Sequence, residues 1–323
     1  MTELVEHSFP PRPGYPNVFE LTTIPNEIWI GDHCNGFLPD RTNAVFNYVS
    51  AMAKQPTTVH YCQVFDESVK SKYPNLNFKF RMFNPMWQAF ENYTAKPDHE
   101  FKNFVCSFNG SPHASRKLLT AGLHKFGWFN PTYCSKNFIA SRNEIDGEIQ
   151  NHCPAELEPI YRKFILSDRP DADQFYNTSS GFGFVRQDHG SNVKGLQNKL
   201  TQSFVHVVSE TVGHSYYPYV TEKFLYSVVT RGLFVAYAQP GWHKHLAQYY
   251  GFKPYTRLFN YTFDSIESPV VRLVELFSML SKFSKLSEYD CHDLYLMEQD
   301  TINYNYNHYF TKGYLKVLHD QLQ

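Results

Sequence analysis

The sequence predicts an α/β protein of two Rossmann-like domains, and three observations carry that prediction. The stretch Ser203–Tyr237 spells a strand, a polar loop, a helix and a second strand in succession. A looser alternation of strand-like and helix-like runs occupies residues 27–126, the pattern of sheets flanked by helices. At 323 residues the chain suits two domains that each bury a core. We place the boundary between about residues 170 and 200, on the evidence of the turn-rich stretch 168–195, which gives domains 1–185 and 186–323.

In chain order, residues 1–25 are proline-rich and read as an extended or irregular arm. Glu27–Gly31 reads as the first strand, with Asp32, His33 and Asn35 at its carboxyl end. A helix follows over 40–53, a strand over 57–65 and an alternating strand over 76–82. Residues 84–93 carry Trp87, Phe90 and Glu91 in a loop or short helix. Asn103–Phe108 is an apolar strand, residues 109–113 a turn, and Ser115 caps a helix that runs to Gly127. Residues 128–142 resist assignment, and 143–168 read as an interdomain region.

Phe204–Val208 is short, β-branched and aromatic, as a buried strand should be. Ser209, Glu210 and Thr211 put polar groups at its carboxyl end, where open α/β sheets bind ligands. Thr221 caps a helix beginning Glu222-Lys223, with Gly232 as its C′ residue, and Leu233–Tyr237 is the next strand. Beyond Phe252, an amphipathic helix spans 270–285, residues 303–310 are rich in aromatics and Asn, and 312–322 form a last helix.

Composition narrows the function. With 42% hydrophobic and 19% charged residues, the chain is an ordinary folded protein rather than a disordered one. Its net charge of −1 argues against a duplex-DNA partner. The six cysteines contain no Cys-x-x-Cys pair, so zinc spacing is missing, and free thiols suit a reducing compartment. Neither a signal peptide nor a membrane-spanning run is expected, which points to the cytoplasm.

The turn 109–113 before the Ser115 helix is an anion site by geometry, because exposed backbone N–H groups collect there. Arg116 in the first turn opposes the helix dipole unless an anion sits beside it. Asp171-Ala-Asp173 is a D-x-D, the metal–diphosphate signature of one glycosyltransferase class, within a turn-rich stretch where such matches arise by chance.

Ser209-Glu210-Thr211, then Thr221-Glu222-Lys223, then Gly251-Phe252 resembles the donor half of fucosyltransferase-like glycosyltransferases, the α-1,3-fucosyltransferase type with bacterial and viral relatives. The resemblance covers Phe204–Phe252. It implies a GT-B arrangement, two Rossmann-like domains facing across a cleft, with the C-terminal helix crossing back to the first. It implies inverting transfer from a nucleotide diphosphate sugar without an essential metal or other cofactor. Arg116 and Lys223 would then hold the donor phosphates, Glu222 the ribose or sugar, and Glu210 would lie beside the donor sugar. Ser209 completes the donor-side set, and Tyr217 and Tyr219, in the loop between the motifs, stack on a nucleobase, cover the sugar or serve only in packing. The family's base is a carboxylate of the first domain. No matching motif exists here, and Asp32 and Glu91 are the positional candidates. A glycan hydroxyl is the implied acceptor, and a modified base in viral DNA is the lesser alternative. Two rivals are a metal-dependent transferase using Asp171 and Asp173, and a non-catalytic sugar-nucleotide or carbohydrate binder.

Overall fold

The computed structural model describes residues 6–9, 16–32, 39–61, 67–80, 87–94, 98–109, 114–136, 155, 157–159, 162, 189–210 and 218–322. Packing divides the chain into two compact units. One is Met1–Asn84 with His214–Tyr219 and Leu322–Gln323, and the other is Pro85–Gly213 with Val220–Gln321. This division differs from the expected one at 185/186, and strand pairing supplies the reason. Asn103–Asn109 pairs with Ser203–Ser209, so a strand expected in the first domain belongs to the sheet of the second unit.

The first unit holds β1 (Glu6–Phe9), β2 (Glu27–Asp32), β3 (Thr57–Tyr61) and β4 (Leu76–Phe80), all parallel and in chain order. Helix α1 (Pro39–Met52) follows β2 and the single turn α2 (Glu67–Lys70) follows β3, as parallel crossovers require. Phe46 on α1 is fully buried and meets Tyr61, Tyr73 and Phe78 edge-on, at centroid distances of 5.2, 5.7 and 4.8 Å. β1 corrects the expected N-terminal arm. Its residues Glu-His-Ser-Phe carry no strand pattern of their own, and pairing with Trp29–Asp32 makes the strand.

The second unit has a parallel sheet of β5 (Asn103–Asn109), β6 (Cys134–Lys136), β7 (Ser203–Ser209) and β8 (Leu233–Tyr237), in the order β6-β5-β7-β8. β7 and β8 are buried along their whole length, because helices cover both faces. On one side lie α3 (Ala114–Lys125) and, farther along the chain, Pro269–Ser281. On the other side lie α4 (His189–Thr201), α5 (Leu225–Val229) and Gln299–Phe310. In chain order the remaining helices are α6 (Trp242–Tyr250), α7 (Pro269–Ser281), α8 (Glu288–Met297), α9 (Gln299–Phe310) and α10 (Gly313–Leu322).

Turn chemistry departs from expectation at the end of α5. Arg231, not Gly232, takes the left-handed conformation, at φ 55°. Gly232 N–H reaches Ser227 O at 2.7 Å and Arg231 N–H reaches Val228 O at 3.1 Å, the two bonds of a Schellman cap. The guanidinium lies 4.1 Å over the Tyr306 ring, a favourable contact that offsets strain at a non-glycine residue.

Residues 87–93 pack within this second unit. Trp87 is wedged among Phe224, Tyr250, Phe252 and Tyr314, and the Tyr309 hydroxyl donates to its carbonyl. The free edge of β8 is also closed. His243 Nε2 accepts the Ala236 N–H at 3.0 Å, which fixes the proton on Nδ1, 2.7 Å from Asp264 Oδ1. Asp264 Oδ2 also accepts the His243 N–H at 3.0 Å and so caps α6, whose N-cap residue Gly241 has no side chain to do so. His243 and His245 are both buried.

At Gly122, α3 and α7 approach so closely that a Cβ would stand 2.3 Å from the buried Phe277 ring. That ring is stacked on Phe126 at 4.9 Å and packed against Trp128 at 5.3 Å, contacts it would have to give up to move. Gly122→Ala should therefore lower stability by about 1–3 kcal/mol, read as a fall in the urea midpoint. A midpoint equal to wild type would mean that α7 can shift without cost.

Burial also pushes down the pKa of three histidines, His99 to about 4, His206 to about 3 and His245 to about 4. An unfolded chain binds these protons near 6.5 and the folded chain does not, so their stability contribution is present above 6.5. It falls away as pH drops toward 4, by about 1.4 kcal/mol per pH unit for each histidine. Denaturation series at pH 7 and pH 5 should show that loss, and His206→Asn should reduce its slope.

Candidate functional site

Sheet topology fixes where a ligand can bind in the second unit. From β5 the chain moves outward to β6, returns to the other side of β5 as β7, and moves outward again to β8. The order reverses between β5 and β7. At such a switch point the loops leaving the two carboxyl ends part and open a crevice. α3 starts after β5, and the turn Glu222–Phe224 leading into α5 starts after β7. Two groups of sequence-predicted residues therefore meet here, Ser115 and Arg116 from one side and Ser209, Glu210, Glu222 and Lys223 from the other. The Ser115 hydroxyl donates to Glu210 O at 3.1 Å and ties the sides together.

Glu210 is the centre of the cluster and is 0% exposed. Its backbone N–H still bonds Tyr237 O at 3.1 Å, so the residue prolongs the sheet by one rung and points its side chain at the next loop. Oε1 accepts the Thr221 N–H at 3.1 Å and Oε2 the Thr221 hydroxyl at 2.6 Å. Thr221 in turn caps the following turn through Lys223 N–H, and its Oγ1 accepts from Lys223 Nζ at 2.9 Å. The ammonium also stands 4.0 Å from Glu210 Oε2 and 3.4 Å from Glu222 Oε1. One cation is thus held between two carboxylates, with its side chain 20% exposed. Both Glu210 oxygens are engaged, which makes this carboxylate a positioning group for Thr221 and Lys223.

Burial pushes the Glu210 pKa up, while the Lys223 charge and the Thr221 hydrogen bonds pull it down and Glu222 raises it further. The net shift is upward, so ionised Glu210 is a strained component of the folded state.

Arg116 lies where expected in sequence but not in exposure. A helix start suggests an accessible side chain, yet Arg116 is 4% exposed and Lys117 is buried beside it. The Ser115–Glu210 bond draws the first turn of α3 against the end of β7, and Leu118 and Leu119 seat the next turn in the core. The Arg116 side chain is thus enclosed at the start of α3 and not free in solvent.

The two base candidates separate. Asp32 is the last residue of β2, opposite Phe9 in the first sheet. Glu91 belongs to the second unit, not to the first domain in which it was expected, and pairs with Lys312 Nζ at 3.1 Å. Tyr219 groups with the first unit. Tyr217, Asp171 and Asp173 lie outside the described residues. Among the described residues no group of three His, Cys, Asp or Glu side chains is placed to hold a metal ion, and no helix is long and apolar enough to cross a membrane.

Sequence reasoning missed the bond from Ser115 to the Glu210 carbonyl, because it follows from β5 lying beside β7. It also gave no sign of the buried His206–Ser227 pair, Nδ1 to Oγ 2.8 Å. That pair resembles a base and nucleophile, but both residues are enclosed between β7 and α5 and hold the helix to the strand. Compared with protein-family models, curated proteins and solved structures, the chain matches none of them.

The raised Glu210 pKa has a testable sign. A carboxyl whose folded pKa lies above its unfolded value loses stabilisation as pH rises from 4.5 through the folded value. The stability difference between wild type and Glu210→Gln should therefore shift in favour of the variant over that interval and then level off. Urea unfolding of both proteins from pH 4 to pH 8 measures it, and parallel curves would show that Glu210 does not titrate abnormally.

Proposed function

We propose that the protein is an inverting, metal-independent glycosyltransferase of GT-B type that takes its sugar from a nucleotide diphosphate donor. One observation carries the reading: Glu210, Thr221 and Lys223, the residues of the family-like motifs, form a single hydrogen-bonded cluster at the carboxyl end of β7, beside the switch point. The motifs are 11 residues apart in sequence, and an ordinary surface Glu-Lys pair would not need a fully buried carboxylate behind it.

In this reading the leaving diphosphate sits against the N-terminus of α3 and the Lys223 ammonium. Fixed cations and backbone N–H groups there neutralise charge that grows as the glycosidic bond breaks. Glu210 and Thr221 hold Lys223 in place without reorganisation, and Arg116 adds positive potential from beneath. Glu222, buried beside Lys223, stands nearest the sugar or ribose hydroxyls. Inversion needs a base to take the acceptor proton, and Asp32 at the end of β2 is our choice over Glu91, which is already ion-paired. The acceptor is a hydroxyl, with a glycan as first choice and a modified base in viral DNA as second.

Lys223→Ala tests the assignment. The side chain leaves no core cavity, but its loss removes the cation held between two buried carboxylates, so stability should fall by more than about 1 kcal/mol, and turnover is measured at a temperature where the variant is shown to be folded. kcat/KM should fall about 30- to 1000-fold, the equivalent of roughly 2–4 kcal/mol of lost transition-state stabilisation. Arg116→Ala should lower both activity and stability, because its side chain is buried. Lys244→Ala, exposed on α6, is the control. Turnover is measured with a panel of sugar nucleotides, with and without EDTA. Normal turnover in Lys223→Ala would overturn the role given to Lys223. Loss in EDTA restored by Mn²⁺ or Mg²⁺ would favour the metal-dependent rival, and donor binding with neither transfer nor donor hydrolysis would favour a binding protein.

A further inference from the structure

Two buried oxygens without partners lie at the ends of the two strands that flank the switch point. Asn109 ends β5 and Ser209 ends β7. The pairs Val105↔Val205 and Cys106↔His206, carried three residues on, set Asn109 opposite Ser209 on the same face of neighbouring strands about 4.8 Å apart. Asn109 Nδ2 donates to Ser107 Oγ at 3.1 Å and to Ser135 O at 3.3 Å, and Asn109 N–H donates to Ser135 Oγ at 2.9 Å. Those bonds orient the amide, since turning it over would set Oδ1 against the Ser135 carbonyl. Oδ1 is left on the far side. Both Asn109 and Ser209 are buried, and neither Asn109 Oδ1 nor Ser209 Oγ has a hydrogen-bond partner. Buried acceptors of this kind are normally satisfied, and a pair at the ligand-binding edge of the sheet needs a common reason.

We infer that Asn109 Oδ1 and Ser209 Oγ form a nucleoside-reading pair, accepting hydrogen bonds from donor groups of the ligand's nucleoside. The inference rests on the sugar-nucleotide reading above and extends it to the part of the ligand that carries N–H and O–H donors. Phosphate is the wrong partner for this pair, because an amide oxygen repels an oxyanion. The diphosphate instead has the α3 N-terminus, Arg116 and Lys223. The matching donors are a ribose hydroxyl or, on the far side of the ribose from the diphosphate, a base N–H, and every nucleoside diphosphate to be tested carries both.

Ser209→Ala is the decisive variant, because it deletes only an unpartnered hydroxyl. Without ligand its thermal midpoint should equal or exceed that of wild type, since no bond is lost and a buried polar group is removed. Calorimetric titration of the full chain would use GDP, UDP, ADP and CDP, their 2′-deoxy and 3′-deoxy forms, and inorganic pyrophosphate. Affinity for the best-bound nucleoside diphosphate should fall roughly fivefold to tenfold in Ser209→Ala, with pyrophosphate unchanged. If a ribose hydroxyl is read, the deoxy form lacking it binds wild type and variant equally. If a base N–H is read, every deoxy form stays sensitive and the preference among bases shrinks. Asn109→Ala should weaken the same nucleotides and also lower the midpoint through its lost bonds to Ser107 and Ser135. A wild type that binds a nucleoside diphosphate no better than Ser209→Ala would overturn the inference and leave the sugar-nucleotide reading standing. A lower midpoint with unchanged affinity would assign the pair to an internal water and overturn it equally. A wild type that binds none of the four nucleotides would overturn both.

Discussion

The pairing of β5 with β7 is the interaction on which the second unit depends. Its partners lie 100 residues apart in the chain, as the Ser107 hydroxyl donating to Val207 O at 2.8 Å illustrates. Bringing such distant segments together costs loop-closure entropy before any contact is made. Burial of both strands between helices on two faces offsets that cost through Val105, Phe204, Val205 and Val207, all without exposure. Once β7 lies against β5 and not β6, the strand order must reverse there, and the carboxyl ends of two central strands come together at the switch point. The candidate site is a consequence of that single adjacency.

Around this core, polar groups are buried where regular hydrogen bonding runs out, and each replaces a missing backbone partner. Glu210 extends β7 by one backbone bond and then organises the Thr221 cap. His243 and Asp264 close the edge of β8 and cap α6 together. Arg272 on α7 donates to Ala238 O at 2.9 Å and to the Ile266 and Glu267 carbonyls just before its own helix. Buried charged groups are costly unless satisfied, so these side chains act as fixed connectors. A rigid frame of that kind is what holding a phosphate or a nucleoside requires.

Legibility varied with how local the deciding interaction is. α1, β3, β7, β8 and α7 were readable because their apolar spacing and flanking caps lie within the element itself, as Thr221 and Ser268 show. β1 and β6 were not. Glu6–Phe9 and Cys134–Lys136 are short and mixed in polarity, and they are strands only because β2 and β5 offer them free edges. α8 was also unassigned, although Ser287 and Asp290 form a complete capping box. Gly232 drew attention as a helix terminator, yet Arg231 adopts the positive φ because Tyr306, from another helix, receives its guanidinium.

The same distinction separates what the chain determined by itself from what tertiary structure decided. Sequence alone determined an α/β protein with parallel-type strands, a polar cluster after Val208 and a capped turn at Thr221, since periodicity, propensity and caps act over a few residues. Tertiary structure decided that Asn103–Asn109 joins the sheet of Ser203–Ser209, that the units divide at Asn84 and not at 185, and that Arg116 is buried. It also decided that Asn109 and Ser209 end two neighbouring strands. Those outcomes depend on which edge a strand finds and which face a helix covers, and no local pattern encodes the choice between two parallel edges of similar polarity.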